Sequence, residues 1–192
     1  MDLLGAVLIV AAVAATFVVI TRNKAWKGRR ARAEKDSQLA MAKRTAAADV
    51  VGLVEALNRL VAVTENDPVA KAEFQHAEAA RLRAVRCLHE ATEPDELCLV
   101  TENLEEGRWT VARLAARAAG EPMPSRRPPC FFNPGHGPSA RNIHWHGLSV
   151  PACSADAARV DAGADPYIRT VERDSHRVPY WEGGPAYAGW AR

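Results

Sequence analysis

The chain has 192 residues, with 25 Lys and Arg against 23 Asp and Glu, a net charge of +2, 48% hydrophobic residues and four cysteines. That length holds one moderate domain or two small ones. The small positive balance is gathered in one short collar, since residues 34–120 carry 15 acidic against 11 basic side chains, a net of −4. This excludes a nucleic-acid-binding face as the meaning of the basic charge.

Residues 3–20, LLGAVLIVAAVAATFVVI, contain no charge and only Thr16 as a polar side chain. A run of about 18 apolar residues is near the lower end of what spans a bilayer as a helix, and it predicts an N-terminal transmembrane helix. A cleaved signal peptide is the alternative, with a shorter apolar core and a positive start, whereas this chain begins Met1-Asp2. The run is followed by Arg22, Lys24, Lys27, Arg29, Arg30 and Arg32, with Trp26 among them. Basic flanks stay on the cytoplasmic side. The expectation is therefore a single-pass cell-membrane protein, N-terminus outside and bulk in the cytoplasm, whose collar attracts the lipid bilayer. In that reducing compartment paired cysteines are metal ligands or packed thiols. On the other side, a Cys130–Cys153 disulfide leads.

Residues 34–120 are rich in Ala, Leu, Arg and Glu. Val50, Val54, Leu57 and Val61 recur at helical spacing, the mark of one buried face. Asn66-Asp67-Pro68 ends that helix and restarts another, with Asp67 as cap and Pro68 in the first turn. The second helix is predicted to turn Phe74, Ala77, Leu82, Val85 and Leu88 inward. Thr92-Glu93-Pro94-Asp95 reads as a second restart, with Thr92 as cap. The third helix places Leu97, Val100, Leu104, Val111 and Leu114 on one side and stops at Gly120. Breaks this short predict an antiparallel bundle or coiled-coil-like hairpin, which leaves room for homo-oligomers through its long helices. Cys87 and Cys98 fit as packed thiols; His76 and His89 as surface or boundary residues.

Residues 121–129, EPMPSRRPP, read as a stiff proline-rich linker. Beyond it lies a small α+β module over residues 130–182. It opens with a Cys130-x-x-Asn133 turn. A hairpin follows in which Ile143 and Trp145 alternate with His144 and His146 and turn at Gly147. Cys153-x-x-Asp156 then opens a short helix stopped by Gly163. Turn, hairpin and a ligand-spaced pair at a helix start is the layout of a treble-clef zinc module. Zinc takes four N, S or O ligands, two from each arm. The predicted set is Cys130, His136, Cys153 and Asp156, with His144 or His146 as substitutes. A metal-free alternative stays open: Asn133 and Asp156 cap a turn and a helix, over a small core of Cys130, Cys153, Phe131, Phe132 and Trp145. A second hairpin is predicted from strands over 167–172 and 177–181, with Pro179 at an edge. Residues 183–192 form an irregular tail unless Tyr187 and Trp190 dock back.

The segments PPCFFNPGHGP, VPAC, SADAARVDAGADP and RVPYWEGGPAY resemble a group of small actinobacterial single-pass membrane proteins. In that group a PCFF(N/D)PxHGP turn precedes VPxCxxD and PYW. The resemblance marks Cys130, His136, Gly137, Pro138, Cys153, Asp156, Pro179, Tyr180 and Trp181, and leaves out His144 and His146. It implies the same domain plan and names no activity.

The expected function is a membrane-anchored scaffold or adaptor that offers Tyr180, Trp181, Tyr187 and Trp190 to a protein partner. The alternatives are a metal-binding or thiol redox sensor module, and a small metal-assisted hydrolase using His136 and Asp156. Against an enzyme, the chain has no nucleophile elbow, phosphate loop or HExxH helix.

Overall fold

The computed structural model describes residues 3–65 and 67–191, and the side chains from Ile20 onward. Helix α1 runs Leu3–Asn58, α2 Pro68–Glu90 and α3 Leu97–Ala119. The expected anchor is corrected here: among the described residues no helix is long and apolar enough to cross a membrane. Directly after Ile20 come Arg22, Lys24, Lys27, Arg29 and Arg30, all exposed on α1, so the described side chains hold no unbroken apolar stretch. The side chains of residues 3–19, on which the anchor rests, lie outside the described ones. The transmembrane-helix and single-pass expectations fall with it.

Two compact units divide the chain, Met1–Gln38 and Leu39–Arg192. The first carries the basic side chains on an exposed helix, with the Arg30 guanidinium 5.5 Å from the centre of the Trp26 ring. Everything below concerns the second.

Caps decide where its helices begin. Asp67 Oδ1 accepts from the backbone N–H groups of Val69 (2.8 Å) and Ala70 (3.1 Å), and Pro68 occupies the first turn. Such a cap contributes about 1 kcal/mol. Asn66, part of the predicted break, lies outside the described residues. Val61, predicted on the buried face of α1, is 46% exposed. The α-helix has ended by then, and a 3-10 turn at Val61–Thr64 rotates the side chain outward. Glu93, rather than Thr92, caps the next restart, in a reciprocal capping box with Glu96. Thr92 bonds to the Glu96 carboxylate instead. Gly120 closes α3 in the left-handed conformation, which glycine adopts without a Cβ penalty.

Helices α2 and α3 are antiparallel. Their cross-links, Glu73 with Arg113, His76 with Glu106 and Arg83 with Asn103, climb one helix as they descend the other. The predicted face of α3 is buried at Leu97, Val100, Leu104 and Leu114. The predicted face of α2 holds only in part: Ala77 is buried and Phe74 and Leu88 pack partly buried on the core, whereas Leu82 is 55% and Val85 40% exposed. Its inward residues are Ala70, Ala77, Ala80 and Ala84. Alanine lets the axes approach closely, so larger side chains on neighbouring helix positions are turned away. Ala42, Ala46, Val50, Leu53 and Leu57 of α1 complete this core. Gly107 of α3 lies so close that a Cβ there would meet Leu53 Cδ2 at 2.7 Å.

The C-terminal part holds strands β1 (Arg141–Trp145) and β2 (Leu148–Ala152), helix α4 (Ser154–Asp161), and strands β3 (Thr170–Arg173) and β4 (His176–Pro179). Each hairpin is antiparallel, with Ile143 opposite Val150 and Val171 opposite Val178. The turns are two residues long, His146-Gly147 and Asp174-Ser175, all with positive φ, the geometry that matches strand twist. Ile143, Val150, Ala152, Phe132 and Ala157 form a second core.

The end of the chain is not irregular. Pro185–Trp190 makes a 3-10 helix whose Tyr187 and Trp190 are buried in the first core. Gly189 sits against α3, its carbonyl accepting from Thr101 Oγ1 at 3.0 Å.

Candidate metal centre

Cys130 follows the proline-rich segment, where residues 129 and 138 form an isolated antiparallel bridge. The Cys130 N–H donates to Gly137 O at 3.0 Å and closes a tight loop. Within it Asn133 caps the 3-10 turn Pro134–His136, its side-chain oxygen accepting from Gly135 N at 2.9 Å. Asn133 is thus a turn residue, and the loop offers Cys130 and His136. Hairpin β1–β2 packs behind the loop through Phe131 N to Pro151 O, 2.8 Å. The chain then leaves β2 into α4, where Cys153 is the N-cap and Asp156 lies in the first turn.

The four donors, one each from Cys130, His136, Cys153 and Asp156, all lie within 4.8 Å of one another. They are close enough to hold a metal ion. Asp156 Oδ2 is the hub: Cys130 Sγ and Cys153 Sγ lie 3.3 Å from it and His136 Nδ1 2.9 Å. Cys153 Sγ is 3.6 Å from His136 Nδ1. A tetrahedron with Zn–S near 2.3 Å and Zn–N or Zn–O near 2.0–2.1 Å has edges of roughly 3.3–3.8 Å. Three of these separations fall in that range, and the fourth is short by about 0.4 Å, the length of a direct hydrogen bond. Two sulfurs, one nitrogen and one oxygen suit zinc, whereas calcium and magnesium want oxygen alone.

The four groups shift one another's protonation. Burial pushes the Asp156 carboxyl up, but the Tyr167 N–H on Oδ1 (2.8 Å), both thiols and His136 outweigh it and hold the group below its usual range. The hydrogen bond with Cys130 raises His136, burial lowers it, and Asp156 raises it further, so its ring favours the protonated form. Burial pushes Cys130 up too, yet His136 and backbone N–H groups bring it below an ordinary thiol. Cys153 is pushed up to about 12, by burial first and by the negative charge of Cys130 and Asp156. Without a metal the Cys153 thiol keeps its proton, and a bound cation would displace it, since zinc takes cysteine as thiolate.

Burial sorts the four. Cys130 and Asp156 are fully buried, Cys153 nearly so, and the His136 side chain is 29% exposed. All four cysteines of the chain are free thiols. His144 and His146, the predicted substitutes, are elsewhere. His144 is an exposed β1 residue, and His146 is the hairpin turn, its ring edge-on to Trp145. The Tyr167 N–H, which anchors Asp156, was not foreseen; a backbone donor leaves no mark in the side-chain pattern.

The aromatic residues predicted to meet a partner are placed differently. Tyr180, Tyr187 and Trp190 are buried, and only Trp181 is half-buried, stacked on Phe131 with ring centres 4.7 Å apart. The Tyr180 hydroxyl donates to Phe131 O at 2.9 Å. Three of these rings are core, which leaves Trp181 as the one at the surface.

No family model matches this chain, and neither the curated proteins nor the solved structures contain one similar to it.

Proposed function

We propose that the protein is a zinc-stabilised scaffold module, in which one Zn²⁺ is held by Cys130, His136, Cys153 and Asp156. One observation carries the reading: two elements separated by a hairpin deliver four donors of zinc type to one point. The protein fills all four tetrahedral positions, which is the signature of a structural rather than a catalytic zinc. The metal staples the Cys130 loop to the start of α4. A hydrolase using His136 and Asp156 is not favoured, because both side chains are consumed as ligands and no position is left for water.

The test is metal content of the purified full chain beside Cys153→Ser and Asp156→Ala. The reading expects about one zinc per wild-type chain and little in either variant. With Co²⁺ in place of zinc, tetrahedral visible bands and thiolate charge-transfer bands should appear and vanish together in Cys153→Ser. A wild-type chain that takes up no metal from zinc-supplemented buffer sinks the proposal.

A further inference from the structure

A small cleft lies between α3 and the loop carrying His136, with Pro134 and Gly137 of that loop in its wall. From α3 come Arg108 and Trp109, and from the proline-rich segment Arg126 and Arg127. Three guanidiniums and one acid, Glu105, line it; Glu105 already has a partner, and Arg126 Nη2 pairs with Glu106 at 2.5 Å beside the cleft. Arg108 is largely buried and shares Asp49 with Arg169, so a single carboxylate serves two cations. Arg127 has no ion-pair partner among the described residues. The Trp109 Nε1–H is buried without a hydrogen-bond acceptor, a deficit that native interiors rarely leave standing. The ring is held between Arg113 at 5.0 Å and Arg126 at 5.1 Å.

We infer that this cleft is a binding site for a phosphoryl group. Guanidiniums recognise tetrahedral oxyanions through charge-assisted, often bidentate hydrogen bonds. A phosphoryl dianion supplies acceptors to the two groups that have none, the Arg127 guanidinium and the Trp109 Nε1–H, beside the already paired Arg108 and Arg126. The cleft is narrow and partly open to solvent, with a volume of about 30 Å³. It therefore takes the oxygen-bearing end of a ligand, not a ring or an acyl chain. Any remainder of the ligand stays outside, past the exposed Arg126 and Arg127. The inference does not depend on zinc, since none of its basic groups is a ligand of the metal centre.

The experiment follows the five tryptophan indole N–H resonances of the full chain by NMR, with Trp109→Phe to assign one of them. Inorganic phosphate, methyl phosphate and acetate are titrated separately at constant ionic strength. The expected result is a saturable shift of the Trp109 signal with phosphate and a much weaker one with acetate. In Arg127→Gln, and in Arg126→Gln with Arg127→Gln, phosphate binding should be about tenfold weaker or worse. Both side chains are exposed, and retained dispersion of the remaining indole signals shows that the variants are folded. Methyl phosphate binding like phosphate assigns the site to a phosphomonoester presented by a larger ligand; phosphate binding alone assigns it to the free ion. No saturable shift, an equal response to acetate, or unchanged affinity in the arginine variants overturns the inference.

Discussion

Arg169 reaches across 120 residues of sequence to pair with Asp49 through both guanidinium nitrogens, Nη1 at 2.8 Å from Oδ2 and Nη2 at 2.5 Å from Oδ1. Trp190 Nε1 donates to the same Oδ2 at 2.9 Å, and Arg108 Nη2 lies 3.1 Å from Oδ1. One buried carboxylate of α1 thus holds α3, the segment before β3 and the end of the chain. Arg169 also fixes the metal loop: its N–H donates to Phe132 O at 2.8 Å. A Cβ on Gly135 would meet its Nη2 at 2.5 Å.

Asp49→Asn should destabilise the protein by about 3–5 kcal/mol, because it strands two buried guanidiniums without their anion. Burial pushes the Asp49 carboxyl up, but Arg169, Arg108 and Trp190 together hold it below its usual range. A depressed folded value means that the contribution is present above the unfolded pKa of about 3.9 and is lost as pH falls through the folded one. Wild type should lose stability on acidification below about pH 4 more steeply than Asp49→Asn. Denaturant titrations at several pH values check this, and parallel acid limbs count against it.

Trp190→Phe keeps most of the ring and removes one donor to a charged acceptor, a loss of about 1.5–3 kcal/mol. Trp190→Ala adds a cavity and should cost about 3–5 kcal/mol. If the end of the chain were a surface appendage, thermal unfolding would put both near zero.

Gly107→Ala should cost about 1–3 kcal/mol, since the methyl meets a fully buried Leu53 that has nowhere to retreat. Leu53→Val is destabilising alone, yet should recover part of the loss in Gly107→Ala. A double-mutant cycle with no coupling between the two sites refutes the contact.

If the proposed zinc is bound, a strong chelator should lower the melting temperature. Metal held at 100 times its Kd contributes about 2.7 kcal/mol, which for a chain of this size amounts to roughly 5–10 °C. Calorimetry with and without chelator measures it, and Cys153→Ser should show no chelator effect.

The candidate metal centre was legible because its four donors sit at fixed local spacings, Cys130 with His136 and Cys153 with Asp156, around a hairpin announced by Gly147. The helix breaks were legible for the same reason: Asp67, Pro68 and Gly120 act within one turn of themselves. What stayed hidden is what depends on distance. Nothing near Asp49 or Arg169 in sequence announces the other. The face of α2 was legible at Phe74, Ala77 and Leu88 and missed at Leu82 and Val85, because size ranks those two above alanine, whereas close helix packing ranks them below. The apolar N-terminal run was read by composition alone, and the described helix that continues it is charged and exposed.

The Asp49 cluster also sets an order of events during synthesis. Asp49, Leu97 and Thr101 leave the ribosome long before Arg169, Gly189 and Trp190, which lie 141 residues past Asp49 in the last case. At about 5–20 residues per second that gap lasts roughly 7–28 s. Through most of that interval Asp49 has Arg108 of α3 but neither Arg169 nor Trp190, and the face of α3 that receives Gly189 and Trp190 is uncovered. A chaperone that shields the helical region should matter most for this chain until Trp190 has been made.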